Sequence, residues 1–134
     1  MIGDSAFAYC KKISDIKIPE KIEKIGVNIL EETKFYENLP EGENYLNDGD
    51  IFLCYKTGED DPGPEKISVK DGTRIVAGGA MYQISSLKTV EIPDSVKYIG
   101  PEVCNYCSAI VLYVKKGSPA QDYAEELGLK YENY

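Results

Sequence analysis

The sequence predicts a β-rich α/β repeat solenoid, with parallel strands stacked at a 23-residue period, and three observations carry that prediction. The first is a self-match. KKISDIKIPEKIEKIG (residues 11–26) lies apolar for apolar on SSLKTVEIPDSVKYIG (residues 85–100), pairing Ile13 with Leu87, Ile16 with Val90, Ile18 with Ile92 and Pro19 with Pro93. The second is spacing. Ile2-Gly3 recurs as Ile25-Gly26 and Val76-Ala77 recurs as Ile99-Gly100, each 23 residues on, while the 51 residues from Ile25 to Val76 are one period plus a 28-residue insertion. The third is alternation at Ile16-Lys17-Ile18 and Val90-Glu91-Ile92, the pattern of a strand with one buried face. A unit this small cannot bury that face alone, and stacked neighbours can.

Four coils are expected, starting near residues 2, 25, 76 and 99, within a single domain spanning 1–134. In each coil an Ala-Phe-x-x-Cys stretch, or its equivalent, suits a short helical turn. Pro19 and Pro93 then end the strands, because proline cannot donate to a ladder. The insertion, about residues 36–65, interrupts the second coil. Asp48-Gly49 between apolar runs signals a type I′ hairpin, and TGEDDPGPE reads as an acidic loop. Such an insertion is expected to project from one face. Lys66 to Val69 then resume the interrupted strand, with Ile67 and Val69 in the places of Ile16 and Ile18. All of Ile16, Ile18, Ile67, Val69, Val90 and Ile92 should be buried on stacked strands.

The C-terminal cap, residues 115–134, contains a helix. Ser118 is its N-cap, Pro119 its first position and Gly128 its stop, and Ala120, Tyr123, Ala124 and Leu127 form an apolar stripe. The start of the chain enters in mid-template without a comparable cap. A C-terminal piece of a longer protein is therefore expected, with self-association through residues 1–25, or fraying there. Tyr9, Tyr82 and Tyr106 are assigned to one template position, an aromatic ladder along one side.

The repeats IGDSAFAYC and IPDSVKYIG resemble the BspA-type (Treponema-type) leucine-rich repeats of bacterial surface and secreted proteins. ETKFYENLPEGENYLNDGDIFLCYK and KKGSPAQDYAEELGLKY are similar to an insertion and a terminal coil met in that family. Met81 and Cys104 stand where Phe is usual, and Thr33 and Ile84 where Cys is usual. The resemblance implies a leucine-rich-repeat solenoid that serves as a non-enzymatic binding, adhesion or spacer module. It would sit in an extracellular or cell-surface bacterial protein, with a protein or polysaccharide as partner. The rival reading is an accessory domain of a larger secreted enzyme or of a dockerin-bearing cellulosome component.

Composition narrows the chemistry. With 23 Asp and Glu against 15 Lys and Arg, the net charge is −8. That argues against nucleic acid, whose phosphates need a basic patch, and no apolar run approaches the roughly 20 residues that cross a bilayer. There is no His, which excludes Ser-His-Asp and Cys-His catalysis within this chain. Cys104-Asn105-Tyr106-Cys107 lacks the second ligand pair of a zinc site, and its cysteines, like Cys54, read as core residues. Asp48, Asp50, Glu59, Asp60 and Asp61 lack the twelve-residue spacing of a calcium loop and read as a solvated turn and loop. No enzyme activity, cofactor or metal is expected. The candidate contact surface is the exposed side of the strands: Asp15, Lys17, Lys66, Ser68, Thr89 and Glu91.

Overall fold

A computed structural model describes residues 1–105, 107 and 110–134. In chain order the elements are α1 (Lys34–Glu37), β1 (Gly42–Leu46), β2 (Ile51–Lys56), β3 (Lys66–Ser68), β4 (Ile75–Val76), β5 (Thr89–Ile92), β6 (Tyr98–Ile99), β7 (Val111–Val114), α2 (Pro119–Leu127) and β8 (Lys130–Asn133). They form two four-stranded sheets, ordered β1-β2-β4-β6 and β3-β5-β7-β8. Every pairing is parallel except the β1–β2 hairpin.

The register carries the repeat. Ile67 pairs with Val90, and Ile75 with Tyr98, each 23 residues on, and Ile2 bridges Ile25 at the same interval. Backbone conformation repeats in step. Ser5, Asn28, Gly79 and Glu102 all have positive φ, as do Tyr9, Glu32 and Gln83 four residues after the first three of them. From these stretches the N–H groups of Ser5, Phe7 and Tyr9 donate to Val27, Ile29 and Glu31, and those of Gly79, Met81 and Gln83 donate to Pro101, Val103 and Asn105. The expected helical turns are therefore single turns only. A left-handed residue at each end stops propagation, and the N–H groups that a helix would use point to the neighbouring coil.

Where the backbones come closest the chain carries glycine. A Cβ on Gly100 would lie 2.6 Å from Gly78 Cα and 2.8 Å from Ile25 O, and one on Gly78 would lie 2.7 Å from the Gly26 carbonyl carbon. At the head of this column the Asp4 carboxylate accepts the Val27 N–H at 2.9 Å.

The insertion differs from its expected form. Its hairpin forms, but Leu46 pairs with Ile51, leaving the four residues 47–50 as the connection instead of a two-residue turn. Asn47, Asp48 and Gly49 all have positive φ. Nor does the hairpin project. Strand β2 joins the first sheet, with Ile51 and Phe52 paired to Ile75 and Val76, and Ile51 to Cys54 are buried without a break. The run Ile-Phe-Leu-Cys is apolar on both faces, so exposing either one is unfavourable.

Arg74 locks this strand in place. Its guanidinium reaches both Asp50 carboxylate oxygens, at 3.2 and 3.0 Å, and donates to the carbonyls of Ile22 and Glu20 at 2.7 and 3.1 Å. Lys56 closes α1 by donating to the carbonyls of Tyr36, Glu37 and Leu39.

Side chains of both sheets meet in one apolar cluster that includes Phe52, Val76, Ile67, Val90, Leu112 and Val114; Ile25, Ile51 and Ile75 anchor a second, more N-terminal cluster. Ile18, Ile67, Val69, Val90 and Ile92 are buried as expected. Ile16 is only half-buried, and residues 13–18 form no strand. The position beside them is taken by the hairpin connection, where the Asn47 side-chain amide donates to the Ile18 carbonyl.

At the C-terminus, Ser118 caps α2 by accepting the Gln121 N–H, and Gly128, with φ of 65°, ends the helix. Ala120 and Ala124 are buried, but Leu127 is 58% exposed. The left-handed turn at Gly128 reverses the chain, and Leu129 packs on the core instead. Strand β8 then adds to β7, a rung not foreseen in the capping segment.

Candidate functional site: the outer face of the second sheet

Strands β3, β5, β7 and β8 set their side chains in ladders. Ile67, Val90, Leu112 and Tyr131 occupy one rung position. The first three are buried and Tyr131 packs against the same core. Alternation sends the flanking positions to the other face. One flanking ladder is Lys66, Thr89, Val111 and Lys130, and the other is Ser68, Glu91, Tyr113 and Glu132. These side chains are exposed or half-buried.

Four of the six sequence-nominated residues thus share one face: Lys66, Ser68, Thr89 and Glu91. They are also connected. Lys66 Nζ lies 2.7 Å from Glu91 Oε1, and the Ser68 hydroxyl donates to Glu91 Oε2 at 3.0 Å. The Lys66 ammonium, then the Ser68 hydroxyl, holds the Glu91 carboxyl below the usual carboxylate range. Asp15 and Lys17 do not belong to this face. Both are exposed, but their segment pairs with no strand of the second sheet. The intruding hairpin is the physical reason.

The face extends further than sequence reasoning reached. Val90 pairs with Leu112, 22 residues on, one residue short of the interval between Ile67 and Val90. A strict 23-residue register would have put Tyr113 in the core. The single-residue shortening sends it outward, since a one-residue slip exchanges the faces.

Beside Tyr113 lies a groove of about 370 Å³ lined by Val69, Asp71, Glu91, Pro93, Tyr113 and Tyr134. The Tyr134 hydroxyl donates to the Ile92 carbonyl at 3.0 Å. Burial, then the charges of Asp94, Asp71 and Glu91, pushes the Tyr134 phenol above its ordinary value. The signals available in the sequence were the alternation Val111-Leu112-Tyr113-Val114 and the apolar Leu129 and Tyr131 flanking Lys130.

The remaining candidates lie elsewhere. Gln83, not Tyr82, is the counterpart of Tyr9: both have positive φ and both donate to the next coil. The proposed tyrosine ladder therefore fails at Tyr82, and Tyr106 lies outside the described residues. Cys104 and Cys107 pack against the core, and the Cys107 thiol donates to the Met81 carbonyl at 2.9 Å. Burial pushes the Cys104 thiol up to about 12 and the buried Cys54 thiol to about 11. Cys10, the template partner of Cys107, is exposed. Asp50 is engaged by Arg74, and the Asp61 carboxylate accepts the Gly63 N–H. Among the described residues no group of three or more acidic or cysteine side chains could hold a metal ion, and no helix is long and apolar enough to cross a membrane.

The outer face offers an ion pair, hydroxyls and two phenol rings. These are groups that hydrogen-bond and stack. No characterised protein and no solved structure shows significant similarity to this chain. The family model for the BspA type leucine rich repeat region matches residues 1–53 and 63–116 in six copies, against four registers legible by eye. With the match covering most of its length, and with backbone geometry that repeats in step with the sequence, the chain belongs to the BspA type leucine-rich-repeat family.

Proposed function

We propose that this chain is a non-enzymatic binding module of an extracellular or surface-attached bacterial protein, and that its coils wind as one solenoid over residues 1–134. The family is generally one of repeat-type binding modules. The parallel pairings at or near a 23-residue offset support the solenoid reading, because equivalent residues of successive coils then stack side by side. The observation that carries the binding reading is the organised outer face of the second sheet. Its Lys66–Glu91–Ser68 network and its Tyr113 ring are fixed on strands and open to solvent. The partner is an extracellular protein or a polysaccharide.

The test is an array of bacterial and host polysaccharides and extracellular proteins probed with the labelled chain. Binding that is lost in Tyr113→Ala and Ser68→Glu, and kept in Tyr82→Ala, supports the reading. An empty array, or binding indifferent to Tyr113 and Ser68, overturns it.

A further inference from the structure

Building on that binding reading, we propose that the groove between Tyr113 and Tyr134 receives a basic side chain, a Lys or Arg carried on an extended partner peptide. The groove has an apolar floor, since Val69 and Pro93 are buried, and its two aromatic walls are held in place. Tyr113 sits on the central strand β7, and Tyr134 is tied through its hydroxyl to Ile92.

Two carboxylates line the groove, Asp71 and Glu91, and the charge of Asp94 also acts on the Tyr134 phenol. Glu91 is already engaged by Lys66 and Ser68. Asp71 and Asp94 are exposed and have no ion pair among the described residues. The nearby Lys97 ammonium donates to the Asp94 backbone carbonyl and leaves the carboxylate open.

A basic side chain satisfies every part of this surface. Its methylene stem lies along Val69 and Pro93, its cationic head meets the tyrosine faces, and Asp71 and Asp94 supply counter-charge. An anionic ligand is repelled by these carboxylates and by the net charge of −8. A neutral sugar can stack on the rings but leaves both carboxylates without a counter-charge.

The experiment is a ¹H–¹⁵N titration of the full chain with the capped peptide SKSKSKS, with the neutral sugar cellopentaose run in parallel. Peptide-dependent shifts at Glu91, Tyr113 and Tyr134 are expected. Affinity should fall at least about tenfold in Asp71→Asn/Asp94→Asn and in Tyr113→Ala, and be nearly kept in Tyr113→Phe. Glu59→Gln/Asp60→Asn removes the same charge from the 57–65 loop and should leave affinity unchanged. No peptide shifts, scattered shifts, or equal weakening by the loop variant overturn the proposal. Shifts on this face with cellopentaose alone would overturn the basic-ligand assignment while leaving the binding reading of the sheet intact.

Discussion

Gly100 and Gly3 occupy the same place in the repeat, yet they should respond oppositely to alanine. Neither has positive φ, so the backbone is tolerant at both, and the difference is spatial. A Cβ on Gly3 meets nothing within 4 Å, whereas on Gly100 it meets Gly78 Cα at 2.6 Å, Ile25 O at 2.8 Å and the Gly78 nitrogen closer still. These are backbone atoms and cannot swing aside. Relief requires the last coil to move outward by several tenths of an ångström. That movement strains the bonds from Gly100 N to Val76 O and from Gly79 N to Pro101 O, now 2.8 and 2.9 Å.

Overpacking costs about 1–3 kcal/mol, and the two stretched bonds add up to about 1 kcal/mol each. Against this, Gly→Ala narrows the unfolded ensemble by about 0.4–1 kcal/mol. The net expectation for Gly100→Ala is a loss of about 2–3 kcal/mol, or roughly 6–15 °C in Tm for a chain of this size. Gly3→Ala should be neutral or gain up to about 1 kcal/mol. Differential scanning calorimetry on the pair decides the matter. Equal Tm values for the two variants would refute the close stacking of coils at this column.

Other outcomes follow from the same geometry. Arg74→Lys should be nearly as damaging as Arg74→Ala, about 1–3 kcal/mol by urea denaturation, because one ammonium cannot replace a fork that reaches Asp50, Ile22 and Glu20 together. Full rescue by Lys would contradict the clamp. The buried thiols predict alkaline sensitivity: the native state favours neutral Cys54 and Cys104, so their stabilisation is fully present below the ordinary thiol value near 9 and is lost as pH rises toward about 11 and about 12. Tm should therefore fall above pH 9, less steeply in Cys54→Ala/Cys104→Ala relative to its own neutral-pH value, and a flat profile would refute this. In hydrogen exchange, residues 1–25 should open sooner than β5 at low concentration, or gain protection as concentration rises, because Ile2, Phe7 and Ile16 are only half-buried. Protection equal to that of β5 in a strict monomer would contradict this expectation.

The repeat was legible because identity and spacing agreed: Ile67 with Val90, Ile2 with Ile25, and Ser118 and Gly128 at the helix ends all stand where pattern and chemistry put them. The places that escaped share a cause. Hairpin strand β2 reads locally as an insertion, and only long-range pairing with Ile75 and Val76 makes it a rung of the sheet. That same intrusion separates Asp15 and Lys17 from the face that Lys66, Ser68, Thr89 and Glu91 share. The one-residue shortening before Leu112 hid Tyr113, since a fixed period assigns it to the core. The left-handed positions at Ser5, Glu32, Gln83 and Glu102 gave no compositional hint. At Ser5 and Gln83 the disfavoured conformation is held by the hydrogen bonds from their N–H groups to the Val27 and Asn105 carbonyls.

The central claim is that equivalent residues of successive coils lie side by side in parallel register. Cross-strand NOEs between the backbone protons of Ile67 and Val90, of Val90 and Leu112, and of Leu112 and Tyr131 test it most directly, since those pairs are adjacent on neighbouring strands. All three sets should appear with the parallel pattern of amide-to-α contacts. Their absence, or the close α-to-α contacts of antiparallel pairing at these positions, would contradict the account.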